Sequence, residues 1–170
     1  MTDSAAVRIL GIDPGSVVTG FGIIDLERGK LRLVCAGAIQ CASDSPLPDR
    51  LVRIFAGIDE VAEEHRPHEV AMESLFYAKN ARSALLLGHA RGVALLAVAR
   101  RHLSVHEYAP REVKKALVGY GDADKKQVEH MVRLLLTVTQ PIRPLDASDG
   151  LAIAICHAHS RRLTAAAPTR

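Results

Sequence analysis

The chain has 170 residues, of which 48% are hydrophobic and 24% are charged. This composition is typical of a globular protein, and the length fits one domain over residues 1–170 with a sizeable core. The net charge of +3 is too small to indicate a nucleic-acid partner by itself. The weakly patterned ends, residues 1–6 and 164–170, are predicted to be flexible.

The cysteine content and the apolar segments bear on the cellular compartment. The chain contains three cysteines, Cys35, Cys41 and Cys156. An odd number without a C-x-x-C pair indicates free thiols in a reducing compartment and argues against zinc. The N-terminus lacks the pattern of an export signal. The apolar stretch 84–99, which His89 and Arg91 interrupt, falls short of the roughly 20 residues of a membrane span. We therefore expect a soluble, cytoplasmic protein.

The first half of the chain predicts a strand meander, a helix and a fourth strand. Apolar runs of strand type at 7–13, 19–25 and 30–40 are separated by short turns, which favours antiparallel pairing. The Ser-Pro-Leu-Pro-Asp segment at 45–49 opens an amphipathic helix that stops near Pro67. A short strand at 69–73 follows.

The second half predicts helices alternating with one further strand. A long helix at 81–102 precedes a strand at 104–108. Helices are then predicted at 111–118, 125–136 and 145–163. A meander followed by alternating strands and helices indicates an α/β fold, with a mixed five-stranded sheet flanked by helices.

Four acidic residues stand beside apolar segments, where an unpaired carboxylate is costly to bury. They are Asp13, Glu73, Asp146 and Asp149. Each also has a structural explanation. Asp13 can start a turn, and Glu73 can end a strand in solvent. Asp146 can cap the last helix, and Asp149 can lie in its first turn, where the helix dipole favours a negative charge. Asp146 and Asp149, however, share one helix face that can pack against the sheet.

Carboxylates that meet in one partly buried site need a compensating cation. Oxygen ligands without cysteine favour Mg²⁺ or Mn²⁺ over zinc. Two such ions about 4 Å apart would activate water and stabilise the leaving oxygen in phosphodiester cleavage. The four acids therefore predict metal-dependent hydrolysis at a phosphate.

Several motifs, in order along nearly the whole chain, closely resemble those of the RuvC Holliday-junction resolvases. They are Gly11-Ile-Asp-Pro-Gly-Ser16 with Thr19-Gly-Phe-Gly22, Met72-Glu-Ser-Leu-Phe-Tyr-Ala-Lys-Asn80 with Ser83-Ala84, Leu87-Gly-His-Ala-Arg-Gly-Val93, and Asp146-Ala-Ser-Asp149. The resemblance implies a ribonuclease-H-like fold and a homodimeric endonuclease that depends on divalent metal, with Mg²⁺ expected and Mn²⁺ as a substitute. By motif position, Asp13, Glu73, Asp146 and Asp149 correspond to the catalytic, metal-binding acids of that family.

The resemblance also implies a substrate and partners. The expected activity is symmetric paired nicking of four-way junction DNA in recombination and repair, leaving 5′-phosphate and 3′-hydroxyl ends. Cooperation with the RuvA and RuvB branch-migration proteins is implied as well. Gly88 and Gly92 give the long helix a smooth stripe that suits either packing on the sheet or a two-fold contact with a second copy.

Three further residues are predicted to contact DNA. Phe76 follows Glu73 closely, and an exposed ring there could stack on an unpaired base; packing in the core is the alternative. Lys114 and Lys125 belong to a group of basic residues between the last strand and the final helix. The resemblance places both near the scissile phosphate, although a solvated basic face is an equal alternative. His157 and His159 do not share a helix face, so neither is assigned a role.

Two other functional classes compete with this interpretation. Actin-like ATPases and sugar kinases begin with a similar strand and glycine turn, but they need a longer chain, and a P-loop is absent here. A non-catalytic nucleic-acid-binding module would leave the four acids without a purpose, because carboxylates repel phosphate unless a metal intervenes.

Overall fold

The computed structural model describes residues 6–74 and 80–166, with side chains as far as residue 161. Phe76 and most of the two predicted flexible ends lie outside the described residues. Within the described part, the chain forms five strands: β1 (Val7–Asp13), β2 (Val18–Glu27), β3 (Lys30–Gln40), β4 (Glu69–Glu73) and β5 (Ser104–Tyr108). It also forms five helices: α1 (Leu47–His65), α2 (Ala81–Ala99), α3 (Pro110–Val118), α4 (Lys125–Leu135) and α5 (Leu145–Ala166).

The strands form one mixed sheet in the order β3-β2-β1-β4-β5. β1, β2 and β3 pair antiparallel, as their short connections predict. β4 runs parallel to β1, and β5 runs parallel to β4. The predicted α/β fold with a mixed five-stranded sheet is confirmed.

Helices cover both faces of the sheet, because successive side chains of each strand point to opposite faces. Ile9 of β1 and Ala71 of β4 pack in a core with α3, α4 and α5. Their neighbours Leu10 and Val70 pack in a second core with α1 and α2. This alternation decides which strand-end residues face α5.

Two helix ends differ from the predicted bounds by three residues each. α2 ends at Ala99 rather than at residue 102, because the backbone of His102 turns into the left-handed region with φ of 57°. α5 continues to Ala166, beyond the predicted end at Leu163 and into the tail that was expected to be flexible.

Helix α2 has an apolar composition that the sequence interpretation underestimated. Its 19 residues, Ala81–Ala99, are long and apolar enough to cross a membrane by length and composition, whereas the sequence expectation counted only the shorter stretch 84–99. One side of α2, including Ala90, Ala94 and Ala97, is fully buried in the domain. One such helix is weak evidence for a membrane span, because a mostly buried core helix of a soluble protein passes the same test; 22% of α2 is buried.

Candidate active site

Asp13 and Glu73 stand at the ends of neighbouring parallel strands. The last registered pair between β1 and β4 is Ile12 with Met72, and each carboxylate follows directly. Asp13 shares the strand face of Ile9, and Glu73 shares that of Ala71, so both side chains point towards α5. The alternation of side chains along each strand thus places both acids on the α5 face of the sheet, at the end where β1 and β4 stop.

Glycines allow the first turns of α5 to lie directly on the sheet. A Cβ atom on Gly20 would stand 2.0 Å from the carbonyl oxygen of Asp146, and one on Gly11 would stand 2.1 Å from that of Gly150. Gly150 in turn fits against the backbone of Phe21 and Gly22. This close approach brings the helix that carries Asp146 and Asp149 over the strand end that carries Asp13. The sequence interpretation missed this role, although glycines inside strands are a known signal of close backbone approach.

Asp13, Glu73 and Asp149 line one cleft of about 210 Å³ together with the two predicted lysines, Lys114 and Lys125. Val113 of α3, Val128 of α4 and Ile153 of α5 complete its apolar walls. Asp146 does not line this cleft, but its charge acts on Asp13. The structure therefore brings three of the four acids and both lysines into one cleft, with Asp146 close enough for its charge to act on Asp13. Phe76, predicted to contact DNA, lies outside the described residues.

The electrostatics of the cleft show an excess of negative charge. Burial raises the pKa of Asp13 to about 8, and repulsion from Glu73, Asp149 and Asp146 adds to this effect against the opposing charge of Lys125. Burial and Asp149 likewise raise the pKa of Glu73, although Lys125, a hydrogen bond with Asp13 and Lys114 act in the other direction. Two carboxyl groups whose charge is this costly form a site that a bound cation would stabilise.

Lys125 supplies part of the missing positive charge. Its Nζ atom donates a hydrogen bond to Oδ2 of Asp149 at 2.8 Å, and this bond raises the pKa of the lysine. Lys125 is the first residue of α4, where the helix dipole disfavours a cation. The ion pair across to α5 offsets that cost.

Arg91 of α2 is a further neighbour of the site that the sequence interpretation did not single out. Its Nε atom donates to the carbonyl oxygen of Glu73 at 3.3 Å, and its guanidinium pairs with Glu107 at 2.6 Å. The two histidines left without a role point elsewhere. His157 contacts Glu69 and Tyr108, and His159 contacts the carbonyl oxygen of Ala116.

Comparison with known proteins identifies the family. Residues 9–157 match the family model described as crossover junction endodeoxyribonuclease RuvC. This chain belongs to that family. A relative of the same name from Methylococcus capsulatus is 56% identical over 155 residues, which cover 91% of this chain and 92% of the relative. Another, from Chloroflexus aurantiacus, is 49% identical over 154 residues, covering 91% and 94%.

Solved structures agree with this family assignment. The structure described as Thermus thermophilus RuvC in complex with Holliday junction substrate superposes with a TM-score of 0.88 at 35% identity. The match covers 96% of this chain and 99% of the Thermus chain. The predicted ribonuclease-H-like fold and the resemblance to the RuvC family are confirmed.

Proposed function

We propose that this chain resolves four-way DNA junctions by metal-dependent hydrolysis of one phosphodiester bond in each of two strands, in recombination and DNA repair. The observation that carries the proposal is the cleft in which Asp13, Glu73 and Asp149 meet beside two lysines. Membership of the RuvC family supports it, and the related Thermus protein has a structure with Holliday junction substrate.

Asp13, Glu73, Asp146 and Asp149 are the proposed catalytic, metal-holding residues. The donor set fits Mg²⁺, because the ligands are carboxylate oxygens. Burial and repulsion from the other acids raise the pKa values of Asp13 and Glu73, and a bound cation would relieve both effects. Two ions per site, with Mn²⁺ as a substitute, are part of the proposal. When bound, such ions supply an activated water and stabilise the leaving oxygen. The products would carry 5′-phosphate and 3′-hydroxyl ends.

Lys114 and Lys125 are proposed to hold the phosphate backbone of the strand to be cut. Lys125 reaches the cleft from α4 and Lys114 reaches it from α3. Cations there offset the repulsion between the acidic cleft and DNA. Phe76 is proposed to stack on an unpaired base near the junction centre.

We propose a homodimer as the assembled form. Along α2, each of Leu85, Gly88, Gly92 and Leu96 lies about one turn from the next, so they share one helix face. Leu85 and Leu96 are 64% and 53% exposed. A Cβ atom on Gly88 or Gly92 would meet nothing within 4 Å, so the glycine stripe does not serve packing within the described chain. An apolar stripe of this kind suits a second copy across a two-fold axis. RuvA and RuvB are proposed as further partners. The cytoplasm is the proposed location of the protein.

The first test removes one acid at a time. Asp13→Asn and Glu73→Gln are expected to lower junction cleavage in Mg²⁺ more than about a hundredfold, since even outer partners of metal ligands commonly contribute 10- to 100-fold. Junction binding should persist because the basic surface is intact. The measurement compares a synthetic four-way junction with a linear duplex, in Mg²⁺ and in chelator. Asp44→Asn, an exposed aspartate outside the cleft, is the matched control.

The outcomes separate the competing functions. Paired nicks that are confined to the junction, need Mg²⁺ and disappear with Asp13→Asn support the proposal. Normal nicking by Asp13→Asn would contradict the catalytic assignment. ATP hydrolysis without nicking would favour the kinase-like alternative.

A further inference from the structure

A second cluster of ionisable side chains lies on the α5 side of the sheet, at the opposite end of β4 from Glu73. Glu69 begins β4, His106 lies in β5, and His157 lies two turns beyond Asp149 in α5. One ligand atom from each of these three residues lies within 4.8 Å of the other two. We call Glu69, His106 and His157 the edge cluster. In the described part of the chain it is the one group of at least three such residues that meets this distance.

His157 is held in the orientation that a metal ligand needs. Its Nε2 atom lies 2.7 Å from Oε2 of Glu69, and its Nδ1 atom lies 2.7 Å from the Tyr108 hydroxyl. A ligating histidine usually has its second nitrogen bonded to an outer partner. The Tyr108 hydroxyl can either donate or accept, so the neutral imidazole can move its proton to Nδ1 and leave Nε2 as an electron-pair donor.

The charge states of the buried His157 and the half-buried Glu69 suit an ion. Burial lowers the pKa of His157 despite its bond to Glu69, which keeps the imidazole neutral. Burial of Glu69 is outweighed by hydrogen bonds from His157 and Arg161, so the pKa of this carboxyl is lowered and it stays ionised. Neutral imidazole and carboxylate are the ligand forms that metals require.

His106 would provide the third ligand, and because it is exposed, an ion could enter the edge cluster beside its ring. It is exposed on the edge strand β5, and its ring stacks on that of His157 with centroids 4.3 Å apart. Ligands of a tetrahedral zinc ion stand about 3.3 Å apart, given bonds of about 2.0–2.1 Å. Rotation of the exposed His106 ring out of the stack, with a small widening of the contact between His157 and Glu69, would open that space.

One neighbour opposes a cation. The Nε atom of Arg161 lies 2.7 Å from the same Glu69 oxygen that contacts His157. Because the Arg161 side chain is 39% exposed, it can shift outward and remain a hydrogen-bond partner of the carboxylate. Its positive charge would weaken the binding of a metal without preventing it.

We propose that the edge cluster is a second divalent-metal site, separate from the acidic cleft, and that it takes a nitrogen-preferring ion such as Zn²⁺. Two imidazoles and one carboxylate suit Zn²⁺, whereas Mg²⁺ prefers oxygen ligands alone. The cysteine spacing that disfavours a cysteine-bound zinc ion does not bear on the edge cluster, which contains no cysteine. A bound ion would join β5 to β4 and α5, the two elements that carry Glu73 and Asp149.

The test titrates Co²⁺, a coloured substitute for Zn²⁺, into metal-free full-length protein with excess Mg²⁺ present to occupy the acidic cleft. Visible absorption bands of a four-coordinate site are expected, and Zn²⁺ should displace them. His106→Ala removes an exposed ligand and should weaken Co²⁺ binding at least about tenfold. His130→Ala, which removes an exposed histidine of α4, is the matched control and should bind normally.

Two further measurements complete the design. Zn²⁺ should raise the melting temperature of the unmodified protein by mass action, but not that of His106→Ala. Arg161→Gln should strengthen Co²⁺ binding, because it removes the opposing cation. Absence of the absorption bands, or equal Co²⁺ binding by His106→Ala and the unmodified protein, would overturn the proposal and leave a hydrogen-bonded network only. None of these readouts depends on DNA cleavage, so the proposed nuclease function is tested separately.

Discussion

Lys125 shows how one residue can serve the site at a cost to its own helix. It begins α4, where the dipole disfavours a cation. It nevertheless pairs with Asp149, and its charge opposes the rise in the pKa of Asp13 and Glu73. The residue therefore moderates the repulsion among acids that come from two strands and another helix. Its neighbour Lys126 is exposed and lies outside the cleft lining.

Lys125→Met is expected to lower junction cleavage at least tenfold, because the acids lose their nearest cation and the strand loses a phosphate contact. The slope of log binding constant against log salt concentration should fall by about one. Cleavage rates and salt-dependent binding check both effects. Lys126→Met, which removes the same charge one position along, is the control; equal losses from both variants would contradict a specific role for Lys125.

At the scale of elements, the contact between α5 and the β1–β2 hairpin decides where the acids meet. Backbone approaches at Gly11 and Gly20 leave no room for a side chain between sheet and helix. The glycines are therefore required by the position of α5, and α5 carries Asp146 and Asp149. A change in the packing of α5 against β1 and β2 would therefore also move the acids of the cleft.

Gly20→Ala is expected to destabilise the fold by about 1–3 kcal/mol, the usual cost of overpacking, because the new Cβ atom would meet the Asp146 carbonyl oxygen at 2.0 Å. The shift of α5 should also reduce cleavage in the fraction that remains folded. Urea unfolding and cleavage assays measure the two effects. Gly37→Ala in β3 is the control, since the three atoms nearest to its Cβ atom all belong to the side-chain ring of Phe21 rather than to backbone. If Gly20→Ala is as stable as the unmodified protein, the close packing of α5 is not as described.

At the scale of the whole molecule, the two faces of α2 differ in what they contact. One surface packs in the core through Ala90, Ala94, Ala97 and Val98. The opposite surface leaves two leucines exposed beside two glycines with open space around them. A substrate with two equivalent strands is matched by a symmetric pair of sites, and this surface is the proposed contact between them.

Gly92→Leu is expected to weaken the homodimer by about 2 kcal/mol or more, which corresponds to more than tenfold in the dissociation constant. The side chain would fill the space that the second helix needs, while the single chain has room for it. Sedimentation equilibrium across concentration gives the association constant, and paired nicking should decline with it. Glu60→Leu, an exposed change of similar size on α1, is the control. An unchanged dimer in Gly92→Leu would exclude the α2 stripe as the interface.

Much of the fold could be predicted because local patterns carry it. The strand at Val7–Asp13 and that at Glu69–Glu73 agree with the predicted bounds, since apolar runs between clear turn residues leave little choice. The end of α2 could not be predicted in the same way. The residues after Ala99 have ordinary helix propensity, and only the turn at His102 into β5 ends the helix.

The amino-acid sequence by itself determined the order and type of the elements, and it marked four acids as costly to bury. Only the tertiary structure decided which side chains meet. Lys125 and Asp149 are separated by 24 positions, and Glu69 and His157 by 88. No local pattern links positions so far apart. They are brought together by the sheet register and by the close packing of α5 on the sheet, which the glycines allow. The physical reason is that propensity and periodicity act within a few residues, whereas charge interactions act through space, across whatever elements the fold places side by side.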